Sequence, residues 1–368
     1  MQDRREASCL LSFFQTEEDM KVKSLLQRMA CVFSMIVVAG SLLIFPNQAV
    51  LAKPASAAFT GCAAQSEIPA TECEALVALY NSANGARWAD HSGWLETDTP
   101  CSWFGVFCGE GHVIQLVLEG NNLSGSLPPQ LGSLTELEWL ALNSNQLNGT
   151  IPAQLGDLTN LFFLFLDHNQ LRGSIPPQLG NLVHLADIQL SYNNLSGPIP
   201  AELSSLTELT QLDLQFNRLK GEIPAEFGGM SSRLVALWLN NNQLSGTIPA
   251  ALGNLVHLQI LQLSFNRLKG EIPAELGNLT ELHYLVLNDN NLSGPLPSEI
   301  GNIVGIWQLH LANNRLSGEI PASITNLVNL FDLTLSCGLT STDPAVIAFI
   351  EALVPGWQDQ ICHQYQSH

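Results

Sequence analysis

Charge is scarce in this sequence, and positive charge scarcer still. Of 368 residues only 13% are charged, 14 Lys and Arg against 33 Asp and Glu, for a formal net charge of −19. An average soluble chain carries about 25% charged residues, so uncharged polar side chains must solvate most of this surface. Clustered cations hold phosphate backbones and anionic lipid heads, and a chain this poor in Lys and Arg excludes nucleic-acid partners. Disorder is excluded too, since 46% of the residues are hydrophobic and disordered segments combine low hydrophobicity with high charge.

Catalytic and metal-binding signatures are missing as well. The sequence contains no H-E-x-x-H, G-x-S-x-G, G-x-G-x-x-G or P-loop pattern, the short motifs whose geometry builds common active sites. No Cys pair has zinc-site spacing, and the nine His are scattered. His184 and His257 occupy the same place in two repeated segments, which marks inheritance rather than a site. The expectation is a non-enzymatic protein with no cofactor and no metal.

One long apolar run is present, from Met29 to Phe45, with Lys21, Lys23 and Arg28 before it and small residues after Pro46. A positive start, an apolar middle and a small-residue end form a secretory signal. Residues 1–57 are therefore read as an N-terminal extension and signal, with Met20 opening a signal of ordinary length. The rival expectation is an uncleaved anchor, since the run can just span a bilayer core of roughly 30 Å. Either way the bulk of the chain is expected outside the cell, secreted or at the cell surface, with no C-terminal membrane anchor.

Eight Cys occur, two of them (Cys9 and Cys31) in or before the signal. The other six fall into three local pairs, Cys62/Cys73, Cys101/Cys108 and Cys337/Cys362. An even number in an exported chain points to disulfides, although six Cys allow 15 pairings. Local pairing is preferred here, because two pairs precede the repeat array and one follows it.

From Val113 the chain repeats every 24 residues, with one step of 25 between Leu209 and Leu234. Nine full units and a truncated tenth fill 113–341, between segments at 58–112 and 342–368 that are read as caps. Leu at places one, four and six is the inward set of a short strand. The ninth place is Asn in every full unit: Asn121, Asn145, Asn169, Asn193, Asn217, Asn242, Asn266, Asn290 and Asn314. A buried Asn can satisfy turn backbone groups that no strand reaches, so these nine are expected to form a hydrogen-bonded ladder. A single unit cannot bury enough apolar surface to order itself, and needs stacked neighbours.

The pattern L-x-x-L-x-L-x-x-N-x-L-x-G-x-I-P resembles the plant-type leucine-rich repeat. Cys101-Ser102-Trp103-Phe104-Gly105-Val106-Phe107-Cys108 is similar to the N-terminal cap of that family, in which this segment is typically closed by a disulfide. The resemblance implies an α/β solenoid, a curved superhelix with a parallel β-sheet on its concave face and disulfide-bonded caps. In size and layout the chain resembles free receptor ectodomains and polygalacturonase-inhibiting proteins.

In such a solenoid, strand residues that point away from the core line the concave face and are free of packing duty. Places three and five form two lanes there. Trp139, Phe163 and Phe165 are expected to make one exposed aromatic cluster with Asp167 and Asp187 beside it, and Asp213 lies in the same region. A second, looser group is Trp238, Ile260, Tyr284 and His310. Exposed aromatics without a core to fill mark binding hot spots. Phe216 and Phe265, at place eight, are expected to pack into the turn instead. The functional expectation is an extracellular module that holds a protein, a peptide or a cell-wall polysaccharide, with a hydrolase inhibitor or a defence or signalling ectodomain as special cases. The alternative is a structural or adhesive surface protein without a defined ligand.

Overall fold

Each repeat contributes one short strand to the main sheet, three residues long from the second unit on, because its Leu at places four and six can face inward only if the chain is extended there. The computed structural model describes residues 59–357. The expected signal and the Cys337/Cys362 pair, through Cys362, fall outside the described residues. Eleven strands form one sheet: β1 Val106–Gly109, β2 His112–Val117, β3 Trp139–Ala141, β4 Phe163–Phe165, β5 Asp187–Gln189, β6 Gln211–Asp213, β7 Ala236–Trp238, β8 Ile260–Gln262, β9 Tyr284–Val286, β10 Gln308–His310 and β11 Asp332–Thr334. β1 pairs with β2 antiparallel, and every later neighbour is parallel. Register is strict, so place three always meets place three and place five meets place five.

The inward Leu residues are fully buried in one unit after another, as with Leu161, Leu164 and Leu166. The return path begins at a Pro and runs through a short 3₁₀ turn, for example Ala153–Asp157 or Pro177–Asn181, which buries Leu155 or Leu179. The turns stack so closely that a Cβ on Gly180 would lie 2.3 Å from the Glu202 carbonyl oxygen of the next unit.

The Asn side chains tie units together through the backbone rather than through each other. Asn193 Nδ2 donates to the carbonyls of Leu190 and Ser191 in its own unit and of Leu166 in the preceding one, at 3.0–3.2 Å. Its Oδ1 accepts from the Leu171 N–H at 2.9 Å. The same pattern recurs from Asn145 to Asn314. One side chain therefore closes four polar groups that the short strand leaves open, which offsets the cost of its burial.

The residue before each ladder Asn has left-handed backbone, from φ 60° at Gly120 to φ 50° at Tyr192 and Phe216. This tight left-handed step lets the chain leave the strand and present the Asn inward. Gly, Asn and Asp, which tolerate that conformation at low cost, fill the place in four units, and Ser144 fills it in a fifth. Three units place aromatic rings there and a fourth His168, a choice with consequences described below.

A helix caps the stack of return paths at each end, where the terminal unit has no neighbour to pack on. At the N-terminal end helix α1 (Ala70–Ser82) packs over the first unit, and disulfides join Cys62 to Cys73 and Cys101 to Cys108. Trp88, Trp94 and Trp103 are buried beneath it, with ring centroids 4.9 Å and 5.1 Å apart in turn. Glu72 of α1 is also buried, and both its oxygens are used, by His112 Nδ1 at 2.6 Å and by the Val113 N–H at 2.8 Å. At the other end helix α2 (Pro344–Leu353) starts at Asp343, whose carboxylate accepts from the Ala345 N–H at 2.8 Å. Its Val346 and Ile350 are buried. Among the described residues no helix is long and apolar enough to cross a membrane.

Candidate functional site

Strict register makes the concave face readable as a grid. Across place three the order from β3 to β7 is Trp139, Phe163, Asp187, Gln211, Ala236, and across place five it is Ala141, Phe165, Gln189, Asp213, Trp238. Asp187 and Gln189 therefore sit beside Gln211 and Asp213, making a floor of four polar side chains in which acid and amide alternate. Phe163 and Phe165 bound the floor on one side and Trp238 on the other. With neighbouring strands about 4.8 Å apart, the two aromatic walls stand roughly 14 Å from each other.

The expected aromatic cluster forms. Trp139 lies 5.2 Å from Phe163 and 6.1 Å from Phe165 between ring centroids, and the two Phe rings are 6.0 Å apart. These tilted and edge-on arrangements are the favourable ones for aromatic pairs. The rings are half-buried rather than exposed, because each shields its neighbour on the curved sheet.

The acidic residues are deeper than an outward-facing strand position suggests. Asp167 is only 7% exposed and Asp187 only 8%. Burial pushes the Asp187 carboxyl up to about 7, with Asp213 and Asp167 adding like charge and Gln189 opposing the shift through a hydrogen bond. Asp213 is raised as well, chiefly by burial, against hydrogen bonds from Gln215 and Ser191. Asp167 Oδ2 meets His168 Nδ1 at 2.8 Å. Three buried polar atoms here have no hydrogen-bond partner among the described residues: Trp139 Nε1, Asp167 Oδ1 and Asp187 Oδ1.

The second expected group is not brought together as rings. Tyr284 turns its edge to Trp307, at 5.7 Å and 83°, and Trp307 lies against His283 at 4.2 Å. His310 Nε2 meets Asp332 Oδ2 at 3.0 Å. Trp238 belongs instead to the first site, in register with Asp213. Ile260 stands between these two regions on β8.

The place-eight residues overturn an expectation. Phe216 and Phe265 do not pack into the turn; they are 37% and 51% exposed. Left-handed backbone aims these side chains outward, away from the buried ladder Asn that follows. Phe216 stacks on Tyr192 at 4.3 Å and 13°, and Tyr192 stacks on His168 at 4.3 Å and 19°. This column of three rings rims the same three units that hold Phe163, Asp187 and Asp213. Phe265 is separated from the column by Asn241 and stands alone. The sequence does carry a signal for the column, since bulky rings interrupt a place otherwise held by Gly120, Ser144, Asn241, Asp289 and Asn313.

Among the described residues no group of His, Cys, Asp and Glu is arranged to hold a metal ion.

Known proteins share this frame. A family model for the leucine rich repeat N-terminal domain matches residues 69–109. The leucine rich repeat model matches 112–134, 160–182, 184–206, 208–230, 233–255, 257–279, 281–303 and 306–327. The chain belongs to the leucine-rich repeat proteins, in the form that carries this N-terminal cap. It is similar to the ectodomain of the Arabidopsis thaliana membrane receptor kinase GASSHO1/SCHENGEN3, solved in complex with CASPARIAN STRIP INTEGRITY FACTOR 2. That likeness has 38% identity and a TM-score of 0.66, over 72% of this chain and 32% of that one. It is also similar to the ectodomain of the Arabidopsis receptor kinase HAESA, solved with a peptide hormone ligand, at 31% identity and TM-score 0.56, over 74% of this chain and 50% of that one. A plant ice-binding protein matches at 29% identity and TM-score 0.55, over 70% of this chain and 90% of that one. The first curated relatives overlap this chain over 85 and 71 residues, which are 7% and 33% of their own lengths.

Proposed function

We propose that this chain is an extracellular recognition module that holds a protein or peptide partner on the concave face of units two to six. The observation that carries this reading is the convergence there of half-buried rings with buried polar atoms that the described residues leave unpartnered. Folding alone disfavours both features: an unpaired buried polar atom costs about 1–3 kcal/mol, and large apolar groups gain most when fully covered. A partner laid across β3 to β7 would cover the rings and pair the polar atoms, which is how anchoring residues contribute most of an interface's energy. The two receptor-kinase ectodomains it resembles were each solved with a ligand, one of them a peptide hormone, and that supports a peptide or protein here. A secreted hydrolase held on this face is one form the partner can take.

The test is retention of extracellular proteins by the oxidised chain, compared with a Trp139→Ala/Phe163→Ala/Phe165→Ala variant whose melting is checked. A protein held by the parent and lost by the variant is the expected result. Equal retention by both, or retention of wall polysaccharide alone, would reject the reading.

A further inference from the structure

The floor between the two aromatic walls has an electrostatic imbalance that nothing among the described residues corrects. The charged groups acting on Asp187 are Asp213, from β6, and Asp167, from the turn after β4, and both are acids. The strands beside β5 otherwise contribute Phe163, Phe165 and Gln211, and β5 itself contributes Gln189, all of them neutral. The one nearby base, His168, is already engaged by Asp167 Oδ2. Asp187 Oδ1 and Asp167 Oδ1 are buried without a partner, in residues more than nine-tenths covered. A buried carboxylate is normally paired with a cation or fully hydrogen-bonded; among the described residues Asp187 meets the Gln189 amide at 3.3 Å through Oδ2 and no cation, and Asp167 is half-satisfied by His168.

We infer that this floor is the seat of a basic side chain of the partner, an Arg or Lys that enters between the Phe163–Phe165 wall and Trp238 and meets Asp187 and Asp213. This deepens the recognition reading and rests on it. A guanidinium suits the site on two counts. Its planar fork can bond two carboxylates at once, and its face stacks on aromatic rings. An ammonium would satisfy the charge and the cation–π contact but not the fork. A neutral sugar could hydrogen-bond the Asp and Gln side chains, yet it would leave the like charges uncompensated. The rim formed by His168, Tyr192 and Phe216 then offers ring edges to the chain that carries the base.

Protons compete with this cation. A carboxyl held near 7 is largely protonated in mild acid, so seating a base there displaces a proton, and affinity must rise with pH until Asp187 and Asp213 are ionised.

The probe is a neutral-ended heptapeptide, acetyl-Gly-Ser-Gly-Arg-Gly-Ser-Gly-amide, titrated against the oxidised chain and followed by Trp fluorescence. A citrulline version keeps the shape without the charge, a Lys version keeps the charge without the fork, and cellohexaose represents a neutral glycan. The expected order is Arg tightest, Lys weaker and citrulline weakest. Asp187→Asn and Asp213→Asn should each lose about tenfold in affinity, and the parent should bind about tenfold more tightly at pH 8 than at pH 5.5. Both variants are near-isosteric, and a cooperative melting transition no lower than the parent's shows that they remain folded. Equal binding of the Arg and citrulline peptides, preference for cellohexaose, or no binding of the Arg peptide would each overturn the inference. The two readings fail separately. If a captured protein is lost by the aromatic triple variant but kept by Asp187→Asn and Asp213→Asn, recognition stands and the basic seat falls.

Discussion

Asp187 lies beside Phe163 on one strand and Gln211 on the other, and its burial weighs on folding whenever the carboxylate is ionised. Its folded value is near 7 against an ordinary 3.8, so between those limits the native chain keeps a proton that the unfolded chain releases. Stability is therefore greatest at the acid end of that window, falls as pH rises through it, and stays low above about 7. A shift of this size corresponds to at most about 4 kcal/mol. Thermal melting should occur at a lower temperature at pH 8 than at pH 5, and Asp187→Asn should melt higher than the parent at pH 8 with a flatter pH profile. Identical profiles for the two chains would show that the carboxyl is not strained by its surroundings. Phe216 poses a related question, because its left-handed backbone costs about 1 kcal/mol while its stack on Tyr192 returns a similar amount. Phe216→Asn should leave urea-unfolding stability within about 1 kcal/mol of the parent yet weaken retention of the partner. A large loss of stability instead would make the ring column a structural device.

At the scale of the repeat, the side chain of one Asn and the missing side chain of one Gly fix how closely units stack. Removing Asn193 as Asn193→Ala strands the Leu171 N–H and takes one of two donors from each of the Leu166, Leu190 and Ser191 carbonyls, which keep Asn169, Asn217 and the His168 N–H. At about 1–3 kcal/mol for one unpaired buried group, a loss of about 1–3 kcal/mol is expected in chemical denaturation. Gly180→Ala forces a Cβ against the Glu202 carbonyl at 2.3 Å and should destabilise the chain comparably, by prising units three and four apart. Most of this frame is legible in the amino-acid sequence. A period of 24 with Leu, Asn, Gly and Pro at constant places leaves only one way to alternate strand, turn and return path. The concave site is legible only in outline. Place three reads as outward by period two, but period two is silent about curvature, and Asp187 is buried on a strand flanked by Phe163 and Gln211. The place-eight column escapes the period altogether. The handedness of the backbone there shows only when the small residues of other units are set beside His168, Tyr192 and Phe216.

For the whole molecule, stability in such an array is close to a sum of units and nearest-neighbour interfaces, so the ends matter out of proportion to their size. Reducing the two N-terminal disulfides, which close segments of 11 and 7 residues, should cost about 2–3 kcal/mol apiece. Hydrogen exchange should then quicken first in α1 and β1, while β4 to β7 stay protected. Simultaneous loss of protection along the array would mean that the solenoid unfolds as one unit. A protected central stretch is what a recognition surface requires, since its grid of side chains is only as exact as the register beneath it. The outcome that bears most directly on function is where a bound partner touches this grid. A photo-crosslinking residue placed at Gln189, in the floor between Asp187 and Asp213, should capture the partner, whereas the same residue at Gln178, on the return path, should not. Capture from position 178 with none from 189 would place recognition on the opposite surface and contradict the concave-face account.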